Sequence, residues 1–506
     1  MIDNYLKMIL NSQVYDVADE TPLDLARNLS RRLENDIWLK REDLQPVFSF
    51  KLRGAYNKIA SLDEAACSNG IITASAGNHA QGVALAAQYR KLKALIVMPR
   101  TTPGIKVRAV QALGGKALLH GDTYDDAYAH AEHLAAEQGL PFIHPYDDPE
   151  VIAGQGTVAM ELLQQCRDPL HAVFVPVGGG GLIAGIATYI KYLRPDIRVI
   201  GVEPDDAPCM YEALRRKRRV VLDQVGIFAD GVAVRQVGKE PYRLARKYVD
   251  EVMLVSTDEI CAATKDIFDD MRAMVEPAGA LAVAAIKKYV EREGISGVRL
   301  VAINSGANIN FDRLRHVAER AEIGERREAL LAVSIPERPG SFLRFCRTLG
   351  KRGITEFNYR YADAGEAHVF AGVQLSKGDE ERQALLDKLR GEDYPVVDMT
   401  DNEMAKSHIR FMVGGRAHNL EDEVLYRFEF PERPGALLKF LSTIGRRWNI
   451  SLFHYRNHGA AYGRVLVGIQ VPPGDRKHFR GFLDELGYTW FEELENPAYS
   501  LFLGNG

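Results

Sequence analysis

From about residue 20 to 310 the chain alternates short β-branched apolar runs with stretches whose apolar positions recur at helical spacing. A strand at 70–74 precedes a helix at 80–89, a strand at 94–98 a helix at 105–113, and a strand at 172–177 a helix at 182–192. Such alternation predicts an α/β domain with largely parallel sheets, whose ligands sit at the carboxyl ends of the strands. The glycine-rich loops fall at those ends.

Beyond residue 320 the chain repeats itself. Residues 336–340 read PERPG and residues 431–435 read PERPG again, 95 positions on. FNYR at 357–360 answers FHYR at 453–456, and VFAGVQL from Val369 answers VLVGIQV from Val465, both 96 positions on. One inserted residue explains the shift, and so long a period points to duplication of a small domain rather than to a solenoid. In the first copy LLAVSI is a strand, and Phe342, Phe345, Cys346 and Leu349 form a helical stripe. ITEFNYRYA and HVFAGVQLS are strands around the turn residues DAGE, and a helix at 379–390 precedes the strand YPVVDM. This order, βαββαβ, is the ferredoxin-like arrangement. The second copy repeats it with Leu437, Phe440, Leu441 and Ile444 as the stripe. The expected domains are 1–320, 321–420 and 421–506.

Composition narrows the class. With 46% hydrophobic and 26% charged residues, the 506-residue chain can bury large cores and has no need of long disordered stretches. Lys plus Arg is 64 against 68 Asp plus Glu, a formal charge of −4 without the basic excess of a nucleic-acid binder. The five cysteines, Cys67, Cys166, Cys209, Cys261 and Cys346, are scattered and never spaced CxxC. They suit a reducing interior rather than a disulfide framework or a metal cluster. The amino terminus has neither a signal peptide nor a transit peptide pattern, so a cytoplasmic location is expected. Residues 169–190 lack Asp, Glu, Lys and Arg, but Pro176 and four central glycines make them a strand, loop and helix rather than a membrane span.

Four local features carry candidate chemistry. Lys51, in Ser49-Phe50-Lys51-Leu52-Arg53-Gly54-Ala55, is either a snorkelling surface side chain or a desolvated amine able to form a Schiff base with an aldehyde. Gly178, Gly179, Gly180 and Gly181 lie between a strand and a helix start, a plain tight turn or a cradle for phosphate. Ser75-Ala76-Gly77-Asn78-His79 also follows a strand and opens a helix, as a cap or as a carboxylate site with Asn78 free to bond a phenolic oxygen. Asn304-Ser305-Gly306-Ala307-Asn308 is a turn, or brings a neutral hydroxyl to a ring nitrogen.

Together these features resemble the pyridoxal-phosphate enzymes of the tryptophan synthase β-like fold, fold type II. SFKLRGA and SAGNHAQG look like the threonine and serine dehydratases, and the duplicated carboxyl-terminal domain resembles the ACT-like regulatory pair of the biosynthetic threonine deaminase family. The resemblance implies Lys51 as Schiff-base lysine and Cα base, Phe50 packed on the cofactor ring, and Asn78 on its phenolic oxygen. It further implies Gly178, Gly179, Gly180, Gly181 and Leu182 on the phosphate, Ser305 at the ring nitrogen, and Ser75, Ala76, Gly77, Asn78 and His79 on the substrate carboxylate. His79 is a weaker candidate for the base. Phe48 stands where a histidine is common, which could alter the mouth of the pocket but removes no catalytic group.

The implied reaction eliminates water from L-threonine, and more slowly from L-serine, with the cofactor phosphate as proton donor to the leaving hydroxide. The products would be 2-oxobutanoate, or pyruvate from serine, and ammonia, at the entry to isoleucine synthesis. The resemblance also implies a homotetramer, inhibition by isoleucine and opposition by valine. Effector pockets are expected near Arg352, Tyr359 and Tyr361 in the first copy and Phe453 and Tyr455 in the second, although these aromatics could equally be core. The rivals are a catabolic serine or threonine dehydratase, a serine racemase, or a non-catalytic amino-acid sensor on a dead enzyme.

Overall fold

The computed structural model describes residues 2–226, 228–311, 313–350, 352–361, 365–412, 417, 420–431, 436–444, 447–456, 462–497, 499 and 503. The chain divides into two compact units, Met1–Ala321 and Glu322–Gly506.

The first unit holds strands β1 (Leu23–Leu25), β2 (Asp36–Arg41), β3 (Ile71–Ala74), β4 (Ala94–Met98), β5 (Lys116–Leu119), β6 (Ala172–Pro176), β7 (Arg198–Pro204), β8 (Glu251–Val255) and β9 (Arg299–Asn304). They form a six-stranded sheet in the order β1-β2-β9-β6-β7-β8 and a separate three-stranded sheet β3-β4-β5. Only β1 is antiparallel to its neighbour. Every residue of β6, AVFVP, is buried, as a parallel strand covered on both faces requires. Ala172 and Phe174 pack toward the helix Pro277–Glu293, whereas Val173 and Val175 face the opposite layer with the helix Gly181–Leu193. Residues 169–190 are thus strand, glycine loop and helix, and among the described residues no helix is long and apolar enough to cross a membrane. All five cysteines are buried, and no disulfide joins any two of them.

The second unit is one antiparallel sheet. Its first copy supplies β10 (Glu328–Pro336), β11 (Ile354–Arg360), β12 (Glu366–Gln374) and β13 (Val396–Asp398); its second supplies β14 (Glu423–Pro431), β15 (Asn449–Arg456), β16 (Tyr462–Gln470) and β17 (Thr489–Glu492). The order is β13-β10-β12-β11-β15-β16-β14-β17, each copy keeping the βαββαβ path. The copies join where β11 pairs with β15, Phe357 opposite Tyr455 and Tyr359 opposite Phe453. Since Phe357 and Phe453 are equivalent in the repeat, the join has an approximate two-fold axis beside Asn358 and His454. The two apolar stripes sit on the helices Ser341–Leu349 and Ala436–Ile444 in a shared core. Residues 363 and 364 of DAGE and residues 432–435 of the second PERPG lie outside the described residues.

Candidate functional site

Three strands of the first unit end at one place. β3 runs into Ser75, β6 into the glycine loop and β9 into Ser305, while the helix Lys51–Ala60 starts at the same point. Their motifs line a single cavity of about 660 Å3, which Phe50, Lys51, Asn78, Gly178 to Leu182 and Ser305 all reach. It lies at the carboxyl ends of the strands, where open α/β sheets bind ligands.

The lysine motif and the serine motif, far apart in sequence, are tied together. Ser49 and Gly306 form an antiparallel bridge, Phe50 N donates to the Ser305 carbonyl at 3.3 Å, and Ala307 N donates to the Phe48 carbonyl at 2.9 Å. A Cβ on Gly306 would stand 2.6 Å from Glu276 Oε1, so glycine lets that carboxyl approach. Lys51 Nζ donates to the Pro145 carbonyl at 3.0 Å and lies 5.4 Å from the centre of the Phe50 ring. Burial pushes the Lys51 ammonium down to about 8, against the favourable charge of Glu276. Roughly a tenth of such an amine is free at pH 7.

The glycine loop is crowded from outside. A Cβ on Gly178 would stand 2.9 Å from Val232 Cα, and one on Gly181 3.0 Å from the Tyr146 carbonyl; one on Gly179 would collide with the Tyr146 ring. Gly180, at φ +93°, is in the left-handed region. Among the described residues no acceptor takes the amides of Gly178, Gly179 or Gly180, and the helix Gly181–Leu193 adds its unpaired first turn. Such a cradle suits a phosphate that meets amides and a helix dipole rather than arginine. A buried amine for an aldehyde, an aromatic face and this cradle fit pyridoxal phosphate.

Asn78 begins the helix Asn78–Tyr89; Gly77 is its N-cap and no side chain caps it, so the polar residues of SAGNH are not there as caps. Ser75 Oγ instead accepts from Gly77 N at 3.3 Å. Asn78 Nδ2 donates to Glu276 Oε1 at 2.7 Å, and Asn308 Nδ2 donates to Asn78 Oδ1 at 2.7 Å. Burial, with Asp230 adding to it, raises Glu276 to about 7 despite Asn78, Lys106 and Lys51. His79 Nε2 donates to the Ile143 carbonyl at 2.9 Å, which leaves Nδ1 the bare, buried nitrogen. Burial and then Lys51 lower its pKa to about 3, so it is a poor base at neutral pH. Ser305 Oγ donates to the Ala278 carbonyl at 3.3 Å.

Sequence reasoning missed Glu276. Its signal is an acid followed by Pro277 at the start of a helix so apolar that the acid has no solvent side. Asn308 closes the NSGAN motif, and nothing local in the sequence assigns it a role. Phe48 is not among the residues that line the cavity; it is 55% exposed, at φ +56° in the turn before Ser49.

In the second unit the five effector candidates are not gathered in one pocket. Tyr359, Phe453 and Tyr455 belong to the core, with Tyr361 packed at its edge. Arg352 donates to Glu381 at 2.8 Å and to the Leu349 carbonyl at 2.9 Å. It lies at the far end of β11 from Tyr359, about 20 Å away at the rise of a strand.

Residues 14–306 match the family model described as pyridoxal-phosphate dependent enzyme. Residues 319–409 and 414–503 match the one described as the C-terminal regulatory domain of threonine dehydratase. The chain is 58% identical over 503 residues to the L-threonine dehydratase biosynthetic IlvA of Burkholderia multivorans, covering 99% of both chains. It is 55% identical over 500 residues to the Escherichia coli protein of that name, covering 99% of this chain and 97% of the other. Among solved structures it resembles the processed form of threonine deaminase isoform 2 from Solanum lycopersicum, at 51% identity and a TM-score of 0.63, covering 64% of this chain and 88% of that one.

Proposed function

Because the chain belongs to the biosynthetic threonine dehydratases, pyridoxal-phosphate-dependent lyases with a carboxyl-terminal regulatory repeat, we propose which of its residues catalyse the reaction and what regulates it. Residues 1–320 are the catalytic domain; residues 321–420 and 421–506 are the regulatory copies, in a cytoplasmic homotetramer. L-Threonine is deaminated to 2-oxobutanoate and ammonia, and L-serine more slowly to pyruvate.

When bound, pyridoxal phosphate supplies an aldehyde for the substrate amine and a ring that draws electrons from Cα. Lys51 Nζ would hold the cofactor's aldehyde between turnovers and would be the base that takes the substrate Cα proton. Phe50 packs against the ring. Asn78 holds the phenolic oxygen, and the amides of Gly178, Gly179, Gly180, Gly181 and Leu182 hold the phosphate. Ser305 stands at the ring nitrogen as a neutral partner. Ser75, Ala76, Gly77, Asn78 and His79 bind the substrate carboxylate, His79 as a neutral ring. The observation that supports this most is the Lys51 amine, buried and depressed to about 8 in the cavity that the other motifs line.

Isoleucine inhibits and valine opposes it, through the repeat. The seam of β11 and β15, with Tyr359 and Tyr361 in one copy and Phe453 and Tyr455 in the other, is the favoured region for effectors. Arg352 is less favoured as carboxylate partner, its guanidinium being engaged by Glu381. Product analysis tests the reading: wild-type protein should release 2-oxobutanoate from L-threonine, less of it with isoleucine present. Lys51→Ala should release none while keeping its circular dichroism; turnover by that variant would remove Lys51 from the mechanism.

A further inference from the structure

A relay of side-chain amides runs along the cavity wall, and it has only one direction. Asn308 Nδ2 donates to the Val47 carbonyl at 2.8 Å and to Asn78 Oδ1 at 2.7 Å. Asn78 Nδ2 in turn donates to Glu276 Oε1 at 2.7 Å. Each asparagine offers one oxygen and one NH2 group. A carbonyl that can only accept closes one end of the relay and a carboxyl closes the other. Turning over either amide would therefore set oxygen against oxygen or NH2 against NH2. As the relay stands, Asn78 has both its orientation set and one Nδ2 hydrogen uncommitted. Asn78, Glu276 and Asn308 all line the cavity.

We propose that Asn308 is a positioning residue, which orients the Asn78 amide so that its remaining Nδ2 hydrogen serves the phenolic oxygen of the cofactor. This rests on the role given above to Asn78. Asn308 sits three positions after Ser305 on the loop that follows β9, so one loop serves the ring nitrogen directly and the phenolic oxygen through Asn78. Glu276 is the other end of the device: its carboxyl accepts from Asn78 Nδ2 in either protonation state, while the direction of the relay is set at the Val47 end, where the carbonyl can only accept.

The test uses the full-length protein and reads three things: the pH midpoint of the visible cofactor band, the affinity for added pyridoxal phosphate, and the unfolding temperature. Asn78→Ala should move the band and weaken cofactor binding. Asn308→Asp replaces a donor by an acceptor and so reverses the relay; it should move the band in the same sense and weaken binding about tenfold, the usual scale for losing an orienting partner. Asn78→Ala combined with Asn308→Asp should be no worse than Asn78→Ala alone. Adding Glu276→Gln to Asn308→Asp supplies a permanent donor for the reversed amide, and should recover part of the unfolding temperature, the Val47 carbonyl still lacking its donor, without recovering the band. A purely structural Asn308 would recover both, and that result overturns the proposal, as would additive effects in the Asn78 pair. An unmoved band in Asn78→Ala would instead overturn the role of Asn78 and the proposal with it. Asn308→Ala, which removes both donors without adding charge, serves if the aspartate variant does not fold.

Discussion

Glu276 and Lys51 share one buried site, and burial pushes both toward their neutral forms. Glu276 has a native pKa of about 7 against an ordinary 4.5, so the folded protein holds its proton more tightly than the unfolded chain does. The stability this lends is complete below pH 4.5 and is lost as pH rises through 7. Glu276→Gln removes that slope. In cofactor-free protein the variant should gain on wild type by on the order of 3 kcal/mol between pH 4.5 and 7.5, read from denaturant melts; parallel pH profiles would contradict this. Ser305 tests the other side of the ring. A carboxylate there would face the Ala278 carbonyl, which now accepts from the hydroxyl at 3.3 Å, and would favour a protonated ring nitrogen. Ser305→Asp should therefore slow elimination and shift the visible spectrum, whereas unchanged rates would place Ser305 outside the reaction.

The helix that begins at Lys51 is held by its own motif. Gly54 and Gly154 let it meet the helix Pro149–Gln165 backbone to backbone: a Cβ on Gly54 would stand 2.7 Å from the Val151 carbonyl, and one on Gly154 2.7 Å from the Arg53 carbonyl. Arg53, wholly buried, grips Glu42 at 2.8 Å and Glu161 at 2.5 Å, and Lys40 reaches Glu161 at 2.6 Å. Two cations and two carboxylates thus cancel, and Thr157 Oγ1 and the Asp19 carbonyl take more of the guanidinium hydrogens. Arg53→Met leaves two buried carboxylates facing one lysine, which should destabilise the protein by about 3–5 kcal/mol. Arg53→Lys should restore little, since one ammonium cannot match a planar fork. Chemical denaturation of both variants checks this; a loss under about 1 kcal/mol for Arg53→Met would show that the cluster is not needed to hold the helix.

The whole molecule constrains how it can be cut. The helix Arg313–Gly324 spans residue 320, so a catalytic fragment should end after Gly324 rather than inside that helix. Such a fragment should turn over threonine without responding to isoleucine. Retained inhibition with full-length affinity would take the effector site out of the repeat. Ending the chain at residue 420 is a different experiment, because β11 would lose β15 and present an open edge. That fragment should aggregate or unfold at lower temperature than either the full chain or the 1–324 fragment, by light scattering and thermal melts.

The sequence by itself determined the elements, the duplication and the residue types at the site. Strands and helices leave apolar periods of 2 and 3.6 in the chain, and the glycine loop, SAGNH and NSGAN each follow such a strand. Those are local properties, legible without knowing what lies across the core. Tertiary structure decided the partners. That Ser49 bridges Gly306, that Glu276 closes the amide relay and that β11 pairs with β15 depend on contacts between distant segments, which no local period records. It also decided charge state: the pKa values of Lys51, His79 and Glu276 come from burial and from one another, and burial exists only once the strands have assembled around them.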